Sequence, residues 1–436
     1  MQSKYFIITY GCQMNRSDSE RIASVLENIG YKKASKIDEA DLIVTNMCSV
    51  RQSAVDRVYG LIQKFGRLRT TNYKLRTILT GCILKKDRRK FTEYFDYILN
   101  IKELSNWEKY LVPNRRDRSK MEQKNYLRIT PKYSSFPAAY VPISTGCNNF
   151  CAYCVVPYTR GPLIHRPAED IIKEVKELIK KGYREIWLLG QNVNSYGIQR
   201  ETDAKQNAKQ TQNINFSKLL RMVNDIPGDF WIRFTSSHPK DFSDELIKTM
   251  AECKKVTPYL NLPVQSGNDK ILRKMNRNYT VQKYKNLVKK IRKKIPDIAL
   301  STDIIVGFPG EIKKQFENTA KLLREIKFDM AYIAQYSLRP GTTAIKMKDN
   351  VPQKEKKKRE QILTEILKKT ALEKNKKYIG KTVKILPVGW EKGFLFGKSF
   401  HYKTIKAKGL KRMLGQFIKV KIIDATPWGL LGKQIV

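Results

Sequence analysis

Apolar and polar positions follow two alternating periods along the first part of the chain. Short apolar runs at residues 5–9, 41–44 and 77–79 are typical of strands. Residues 17–28 instead carry isoleucine, valine and leucine at helical spacing. Strands that alternate with helices indicate a small parallel α/β sheet. We therefore predict an α/β domain over residues 1–120.

The same alternation continues over residues 133–372. The predicted strands lie at residues 140–143, 185–189, 231–234, 259–262, 298–301 and 330–334, and the predicted helices at residues 168–181, 244–251, 281–294 and 315–326. Repeated βα units form a parallel barrel or partial barrel, in which ligands bind at the C-terminal ends of the strands. We predict a partial (β/α) barrel here.

Three stretches differ from this pattern. Residues 113–135 are polar and basic with two prolines, which predicts a linker. Residues 199–215 have little periodicity and are predicted to form a surface insertion. Residues 353–379 are dense in lysine but keep a helical apolar stripe, which predicts a basic helix whose polar side faces either solvent or RNA.

The last segment, residues 375–436, is predicted to be a small β-barrel. Its β-rich runs lie at residues 382–386, 394–397, 417–423 and 430–436, with glycine and proline between them. Lysines interleave with Phe400, His401 and Tyr402. A basic surface with aromatic side chains suits the bases and backbone of single-stranded RNA.

Three cysteines lie on one short loop. Cys147, Cys151 and Cys154 stand at Cys-x3-Cys-x2-Cys spacing. A [4Fe-4S] cluster takes four cysteines, so a loop that offers three leaves one iron open to chelate a small molecule. A structural zinc site is less favoured because it would need four ligands, and a disulfide cluster is less favoured because it suits a small secreted domain. Buried structural thiols are the remaining alternative.

Three further cysteines each follow a predicted strand of the first domain. They are Cys12, Cys48 and Cys82. Because the C-terminal ends of parallel strands line one crevice, these thiols are predicted to converge in a second three-cysteine site. Buried structural thiols are again the alternative. The seventh cysteine, Cys253, lies in a helical run and is interpreted as structural.

Polar side chains also follow several predicted strands of the partial barrel. They are Gln191, Asn192, Arg233, Gln265 and Asp303. Singly, each is typical of a turn or a helix cap. Together, on the rim that carries the cysteine loop, they favour a ligand site, because amides and carboxylates can bind ribose hydroxyls or an amino-acid moiety.

The charge of the chain indicates a polyanionic partner. Its 85 lysines and arginines exceed its 41 acidic residues and give a net charge of +44. Nucleic acid is the expected partner, since binding phosphates releases counterions, although a lysine-rich proteome is an alternative. The sequence shows no apolar run of transmembrane length and no secretion signal, and its odd number of cysteines is typical of a reducing compartment. We expect a cytoplasmic protein.

Several sequence runs resemble one enzyme family. The cysteine loop with its continuation through residue 161 resembles the signature of radical S-adenosylmethionine (SAM) enzymes, and more narrowly the MiaB-type methylthiotransferases. Residues 11–20, 46–51 and 190–194 resemble the same family, and the tail resembles its TRAM RNA-binding domain. Two positions depart from the family: Ile83 follows Cys82, and residues 162–165 precede Arg166 where the MiaB branch usually has glutamate and serine.

The resemblance implies two [4Fe-4S] clusters and SAM as cofactors. One cluster would bind SAM on Cys147, Cys151 and Cys154, and an auxiliary cluster on Cys12, Cys48 and Cys82 would deliver sulfur. The cofactor-binding residues are expected to include Tyr153 of the cysteine loop and the five polar rim residues. No side chain is assigned as a general base.

The resemblance also implies a reaction and its partners. The expected reaction is methylthiolation of carbon 2 of the isopentenylated adenosine at tRNA position 37, in which a 5'-deoxyadenosyl radical abstracts the hydrogen and a second SAM gives the methyl group. Threonylcarbamoyl-adenosine at the same position is the alternative substrate. A non-catalytic Fe-S RNA-binding or redox-sensing protein is the alternative of another class. The expected partners are the anticodon stem-loop of tRNA and an electron donor such as flavodoxin or ferredoxin, and the expected state is a monomer without membrane contact.

Overall fold

The computed structural model describes residues 2–50, 52–112, 126–198 and 213–435. The chain divides into two compact units. Residues Met1–Ser134 with Cys154–Pro162 form the first unit, and Ser135–Tyr153 with Leu163–Val436 form the second. The predicted insertion lies mostly outside the described residues, as does the first half of the predicted linker.

The first unit is built on a five-stranded sheet whose neighbouring strands run parallel. Along the chain, its strands are β1 (Lys4–Tyr10), β2 (Lys32–Lys33), β3 (Leu42–Cys48), β4 (Arg76–Cys82) and β5 (Tyr97–Ile98), in the spatial order β2-β1-β3-β4-β5. Its helices are α1 (Gln13–Asn28), α2 (Gln52–Thr71), α3 (Lys85–Phe91), α4 (Glu108–Leu111) and α5 (Val156–Arg160). The three predicted strands are confirmed. The two edge strands have two residues each, too few to leave a periodic pattern.

The central strand of this sheet is covered on both faces. Every residue of β3 is buried, which is why it forms a continuous apolar run rather than an alternating one. Leu42 and Val44 pack on the side of α1, and Ile43 packs on the side of α2. Part of the predicted linker also belongs to this core, since Tyr126 and Leu127 are buried in the cluster that contains Leu42.

The second unit begins with six parallel strands in two groups of three. They are β6 (Ala138–Pro142), β9 (Glu185–Leu189) and β10 (Trp231–Phe234), then β11 (Tyr259–Asn261), β12 (Ala299–Val306) and β13 (Met330–Gln335). An isolated parallel bridge pairs Ile232 of β10 with Val256, a few residues before β11, and so links the first group to the second. The structure is therefore an open, partial (β/α) barrel, and all six predicted strands are confirmed.

Helices flank these strands, and a small hairpin carries the cysteine loop. The helices are α6 (Ala168–Lys180), α7 (Phe216–Asn224), α8 (Asp244–Glu252), α9 (Asp269–Lys274), α10 (Val281–Lys294) and α11 (Lys313–Ile326). The hairpin pairs β7 (Ser144–Thr145) with β8 (Ile164–His165) in antiparallel fashion. Ser243 caps α8 and Thr280 caps α10 through side-chain hydrogen bonds, as helix N-termini require.

A long helix leads from the partial barrel to a closed β-barrel. The helix is α12 (Gln353–Lys376), and the barrel contains β14 (Thr382–Glu391), β15 (Phe394–Ser399), β16 (Thr404–Lys408), β17 (Ile418–Thr426) and β18 (Gly429–Gln434). These strands close in the order β14-β15-β16-β18-β17. The predicted small β-barrel is confirmed, and β16 is a fifth strand in addition to the four predicted β-rich runs. The outward residues of β16 are Thr404, Lys406 and Lys408, and its core face has only Ile405 and Ala407, which is too short an apolar pattern to predict a strand.

Asp329 fastens the β-barrel to the partial barrel. Its carboxylate accepts hydrogen bonds from Lys374 of α12 at 2.6 Å and from Lys403 of the β-barrel at 2.7 Å. Burial alone would raise the pKa of Asp329, but the two ammonium groups outweigh it and the pKa is lowered.

Among the helices that the structure describes, none combines the length and the apolar character needed to cross a membrane.

Candidate active site

The first three-cysteine site lies at the C-terminal edge of the sheet in the first unit. Cys48 and Cys82 are the last residues of β3 and β4 and are direct register partners. Cys12 lies between β1 and α1, where it is the residue that caps the helix. Cys48 and Cys82 are buried, whereas Cys12 reaches the surface. The structure thus brings together the three thiols that the sequence predicted to converge.

The backbone at this edge is shaped for a close approach. Gly81, which precedes Cys82, has a φ of +107°, and a Cβ atom there would lie 2.2 Å from the carbonyl oxygen of Met47. Only glycine allows the end of β4 to approach the end of β3 this closely. Asn15 of α1 donates to Asn46 Oδ1 at 2.9 Å, which ties the turn that carries Cys12 to the same strand end.

The thiols of this site share one electrostatic environment. The pKa of Cys48 is lowered chiefly because Cys82 donates a hydrogen bond to it, while burial and nearby Cys12 oppose the shift. The same hydrogen bond and burial raise the pKa of Cys82, and the guanidinium of Arg160 acts in the opposite direction. Burial also raises the pKa of Cys12, so Cys48 is the thiol of this triad whose thiolate, the form that binds metal, is favoured by its surroundings.

Arg160, the last residue of α5, is a buried partner of this site that the sequence prediction missed. Its Nε donates to Cys82 Sγ at 3.0 Å, and its Nη2 donates to Asp18 Oδ2 at 2.6 Å. Its Nη1 donates to the hydroxyl of Tyr126 at 3.3 Å. A sequence signal existed, because Arg160 and Asp18 both lie within the runs that resemble the methylthiotransferases.

The second three-cysteine loop connects β7 to α5. Cys147 is buried, and Cys151 and Cys154 are partly buried. Gly146 opens the loop with a φ of +82°, and its N–H donates to Gln191 Oε1 at 2.6 Å. Gln191 therefore holds the loop backbone rather than extending freely toward a ligand. Cys147 and Cys151 belong to the second unit, and Cys154 begins the segment that packs in the first.

Backbone hydrogen bonds fix the part of the loop that follows Cys147. The N–H of Ala152 donates to Met275 O at 2.9 Å, and the N–H of Ala344 donates to Ala152 O at 2.8 Å. Tyr153 packs against the buried apolar cluster that contains Ala152. Arg277 Nη1 lies 3.6 Å from Cys151 Sγ and is a second arginine beside a predicted cluster ligand.

Buried polar atoms without partners mark the rim of the partial barrel. In the described part of the second unit, four of them follow successive strands β6, β9, β10 and β11: Ser144 Oγ, Asn192 Oδ1, Ser237 Oγ and Gln265 Oε1. Leaving a buried polar atom unsatisfied costs about 1–3 kcal/mol, so four on one rim indicate a polar ligand. Gln265 also has a φ of +68°, a strained conformation that is typical of ligand sites.

The remaining predicted rim residues have different surroundings. Asn192 Nδ2 donates to Asp241 at 2.7 Å, which leaves its oxygen for a ligand. Asp303, half-buried in β12, accepts from Asn261 at 3.1 Å. Arg233 is buried beside Glu185 and donates to two backbone carbonyl oxygens of the β-barrel, at the last residue of β15 and at the residue after it. These contacts give no support to the predicted cofactor contact of Arg233, because they use its donors to join two parts of the second unit.

Comparisons with known proteins agree with this arrangement. Residues 141–323 match the radical SAM superfamily, and residues 4–100 match the uncharacterized protein family UPF0004. A tRNA-2-methylthio-N(6)-dimethylallyladenosine synthase from Clostridium novyi is 42% identical over 99% of this chain and 96% of its own length. A synthase of the same name from Clostridium botulinum is 40% identical over 99% of this chain and 97% of its own length. The chain belongs to the radical SAM methylthiotransferases.

The cofactors of radical SAM methylthiotransferases are [4Fe-4S] clusters and SAM, and the residues present fit both. Each cysteine triad combines three thiols with an arginine that donates to one of the sulfurs. All four unpartnered rim atoms can accept hydrogen bonds, and SAM offers ammonium, ribose hydroxyl and adenine amino donors to them. Among the described residues, no three cysteine, histidine or carboxylate side chains converge closely enough for a single metal ion. A [4Fe-4S] cluster binds each thiolate through a different iron, so its ligands are more widely spaced.

The fold agrees with that of other radical SAM enzymes. The radical SAM methyltransferase TsrM from Kitasatospora setae, solved with cobalamin and a [4Fe-4S] cluster bound, superposes with a TM-score of 0.51 over 79% of this chain and 77% of its own. The sequence identity is 13%, so this likeness concerns the fold alone.

The predicted site lacked three residues that the structure places on the rim or beside the cysteine loop: Ser144, Ser237 and Arg277. Ser144 and Ser237 could have been found, since each follows a predicted strand as the predicted rim residues do.

Proposed function

We propose that the chain adds a methylthio group to carbon 2 of the dimethylallyl-modified, that is isopentenylated, adenosine at position 37 of tRNA. The observation that carries this proposal is the near full-length identity to synthases whose names state this product. The two cysteine triads support it, because inserting sulfur and generating a radical are two tasks, and each triad leaves one position of a cluster open.

The residues that would hold the cofactors follow from the two sites. Cys147, Cys151 and Cys154 would hold the cluster that binds SAM, and the triad of the first unit would hold the auxiliary cluster. When bound, these groups supply the 5'-deoxyadenosyl radical, the sulfur and the methyl group, while the protein supplies binding and orientation.

The residues of the chain position SAM and the loop. Gln191 fixes the backbone of Gly146 at the start of the loop, so the thiol of Cys147 is held in place. The unpartnered oxygens of Asn192 and Gln265 would accept hydrogen bonds from the donors of SAM, which would satisfy two buried polar atoms. Tyr153 anchors the loop through the apolar cluster beneath it.

The outer face of β15 and β16 forms the proposed RNA-binding surface, with Phe394, Phe396, Lys406 and Lys408 as its defining residues. Phe394 pairs with Lys408 and Phe396 with Lys406 across the two strands, while the intervening residues point into the barrel. The Lys406 ammonium lies 4.1 Å from the centre of the Phe394 ring. Exposed lysines beside aromatic rings can bind the phosphates and stack on the bases of a single-stranded loop.

Replacing Lys406 with alanine is expected to weaken tRNA binding without changing SAM cleavage in the absence of tRNA. One lost phosphate contact should reduce the slope of log affinity against log salt concentration by about 1. The measurement is tRNA affinity at several salt concentrations. Lys421→Ala removes another exposed lysine, from β17, and is the matched control. An equal loss of affinity in both variants would show that only the net charge of the barrel matters.

The substrate is tested by nucleoside mass analysis of tRNA after anaerobic turnover with SAM and a chemical reductant. The three substrates are tRNAs that carry dimethylallyl-adenosine, threonylcarbamoyl-adenosine or unmodified adenosine at position 37. We expect a mass gain of one sulfur and one methylene on the first alone. A gain on the threonylcarbamoyl substrate alone would replace the proposed substrate and retain the reaction, and no gain on any of them would reject the proposal.

The proposal also covers how the tRNA base is reached, the oligomeric state, the compartment and the electron donor. The single-stranded loop of the anticodon arm exposes position 37, so the base can enter a pocket without melting a duplex. We propose that the enzyme works as a monomer in the cytoplasm and receives electrons from a flavodoxin or a ferredoxin. The high positive charge supports this electron donor, since acidic carriers associate faster with a basic surface.

A further inference from the structure

A buried arginine is hydrogen-bonded to one thiol of the first three-cysteine site. The Arg160 side chain is only 3% exposed, and its Nε–H points at Cys82 Sγ across 3.0 Å. The guanidinium is charged at every physiological pH. A hydrogen bond from a cationic donor is roughly twice as strong as one between neutral groups. Arg160 therefore places a full positive charge next to a predicted cluster ligand, away from bulk water.

The same guanidinium is balanced by one carboxylate. Asp18, whose side chain is 1% exposed, accepts from Arg160 Nη2 at 2.6 Å through Oδ2. Its other oxygen, Oδ1, is buried with no hydrogen-bond partner in the described structure. A purely structural ion pair would be expected to satisfy both oxygens of a buried carboxylate. Here the arginine is shared among the carboxylate, a sulfur and the Tyr126 hydroxyl, and one oxygen of the carboxylate is left without a hydrogen bond.

We propose that Arg160 is a positioning residue that sets the reduction potential of the auxiliary cluster, and that Asp18 opposes it. This inference rests on the proposed function, since it requires a cluster on Cys12, Cys48 and Cys82. Reduction adds negative charge to the cluster and its sulfur ligands. A cation that donates a hydrogen bond to a ligating sulfur stabilises the reduced form, and a nearby carboxylate destabilises it.

The two residues predict shifts of opposite sign. Replacing Arg160 with glutamine removes the cation, so the auxiliary cluster becomes harder to reduce. Replacing Asp18 with asparagine removes the opposing carboxylate, so the cluster becomes easier to reduce. For each variant we expect the ratio of reduced to oxidised cluster, at a fixed potential, to change about tenfold or more, which is about 59 mV for a one-electron couple. Damage to the fold has no reason to produce shifts in both directions.

The experiment uses the full chain with alanine at Cys147, Cys151 and Cys154, which leaves the auxiliary cluster as the one expected cluster. Each variant is reconstituted anaerobically and titrated with a redox mediator set while the EPR signal of the reduced cluster is followed. Arg160→Gln, Asp18→Asn and the double variant are compared with the parent. The double variant contains no unpaired buried charge, so it keeps the test valid if the single arginine variant does not fold.

Arg76→Gln is the matched control. Arg76 is a partly buried arginine at the start of β4, whereas Cys82 ends the same strand, and its guanidinium donates to Tyr31 and to Leu111 O. We expect this variant to have the potential of the parent. A shift in Arg76→Gln equal to that in Arg160→Gln would overturn the inference, because a general loss of positive charge would then explain both.

The remaining outcomes separate the inference from the proposed function. Opposite shifts in Arg160→Gln and Asp18→Asn, and a potential near that of the parent in the double variant, support the inference. A cluster that assembles in all variants with one unchanged potential overturns the inference and leaves the proposed function standing. A parent that binds no iron overturns the sulfur-donor half of the proposed function, and the inference with it.

Discussion

Replacing Cys147, Cys151 and Cys154 together with alanine is expected to abolish SAM cleavage and to lower the iron content from about eight to about four per chain. SAM is expected to bind through the iron that these three cysteines leave open, so no radical can form without them. The rate of anaerobic 5'-deoxyadenosine release should fall to background. The iron that remains should belong to the cluster on the triad of the first unit.

The measurements are iron and sulfide analysis, EPR after reduction and quantification of 5'-deoxyadenosine. Cys253→Ala is the matched control, because Cys253 is a buried thiol at the end of α8 and belongs to neither triad. This control should keep full iron content and SAM cleavage. A wild-type chain with about four irons, all lost in the triple variant, would mean that Cys12, Cys48 and Cys82 hold no cluster.

The complementary variant, with alanine at Cys12, Cys48 and Cys82, is expected to lose the methylthiolated product while still cleaving SAM. The radical-generating loop in this variant keeps its three cysteines and the hydrogen bond from Gly146 to Gln191. Product formation should fall by several orders of magnitude, since the sulfur source is absent. Release of 5'-deoxyadenosine should continue without being coupled to product.

Nucleoside mass analysis and 5'-deoxyadenosine release, measured in the same reaction, check this prediction. The structure allows a sharper version: Cys82→Ser alone, which keeps the size of the buried residue and removes the thiol that Arg160 contacts. Methylthiolated product at the wild-type rate from the triple variant would disprove the role of the first triad as a sulfur source. Loss of SAM cleavage in that variant would instead show that the two sites cannot function separately.

Hydrophobic periodicity was sufficient for most of the fold. The strands of the partial barrel were predicted because buried parallel strands form short apolar runs between amphipathic helices. The sequence missed β2 and β5, which have two residues each, and β16, whose outward lysines dominate its composition. Such elements form because a neighbouring strand offers hydrogen-bond partners, and this information lies outside their own residues.

For the candidate site too, sequence patterns were sufficient for some residues and insufficient for others. Cys147, Cys151 and Cys154 were predicted from spacing, because a short loop restricts how far its own side chains can separate. The convergence of Cys48 and Cys82 was predicted from the rule for parallel strands, and the register of β3 and β4 makes them direct partners. For Arg233 the rule was insufficient, since a residue near a strand end can also face a neighbouring domain.

The sequence by itself therefore determined the family, and it predicted the cysteine ligands because the spacing of Cys147, Cys151 and Cys154 and the places of Cys12, Cys48 and Cys82 after strands can be read from local patterns. Only the tertiary structure showed that Arg160 contacts Asp18, since these residues are 142 positions apart. It alone showed which rim oxygens are buried without partners, because burial depends on every element that packs around an atom. Local patterns set the elements and the chemistry available, whereas the packing of distant elements decides which charges and donors meet at one site.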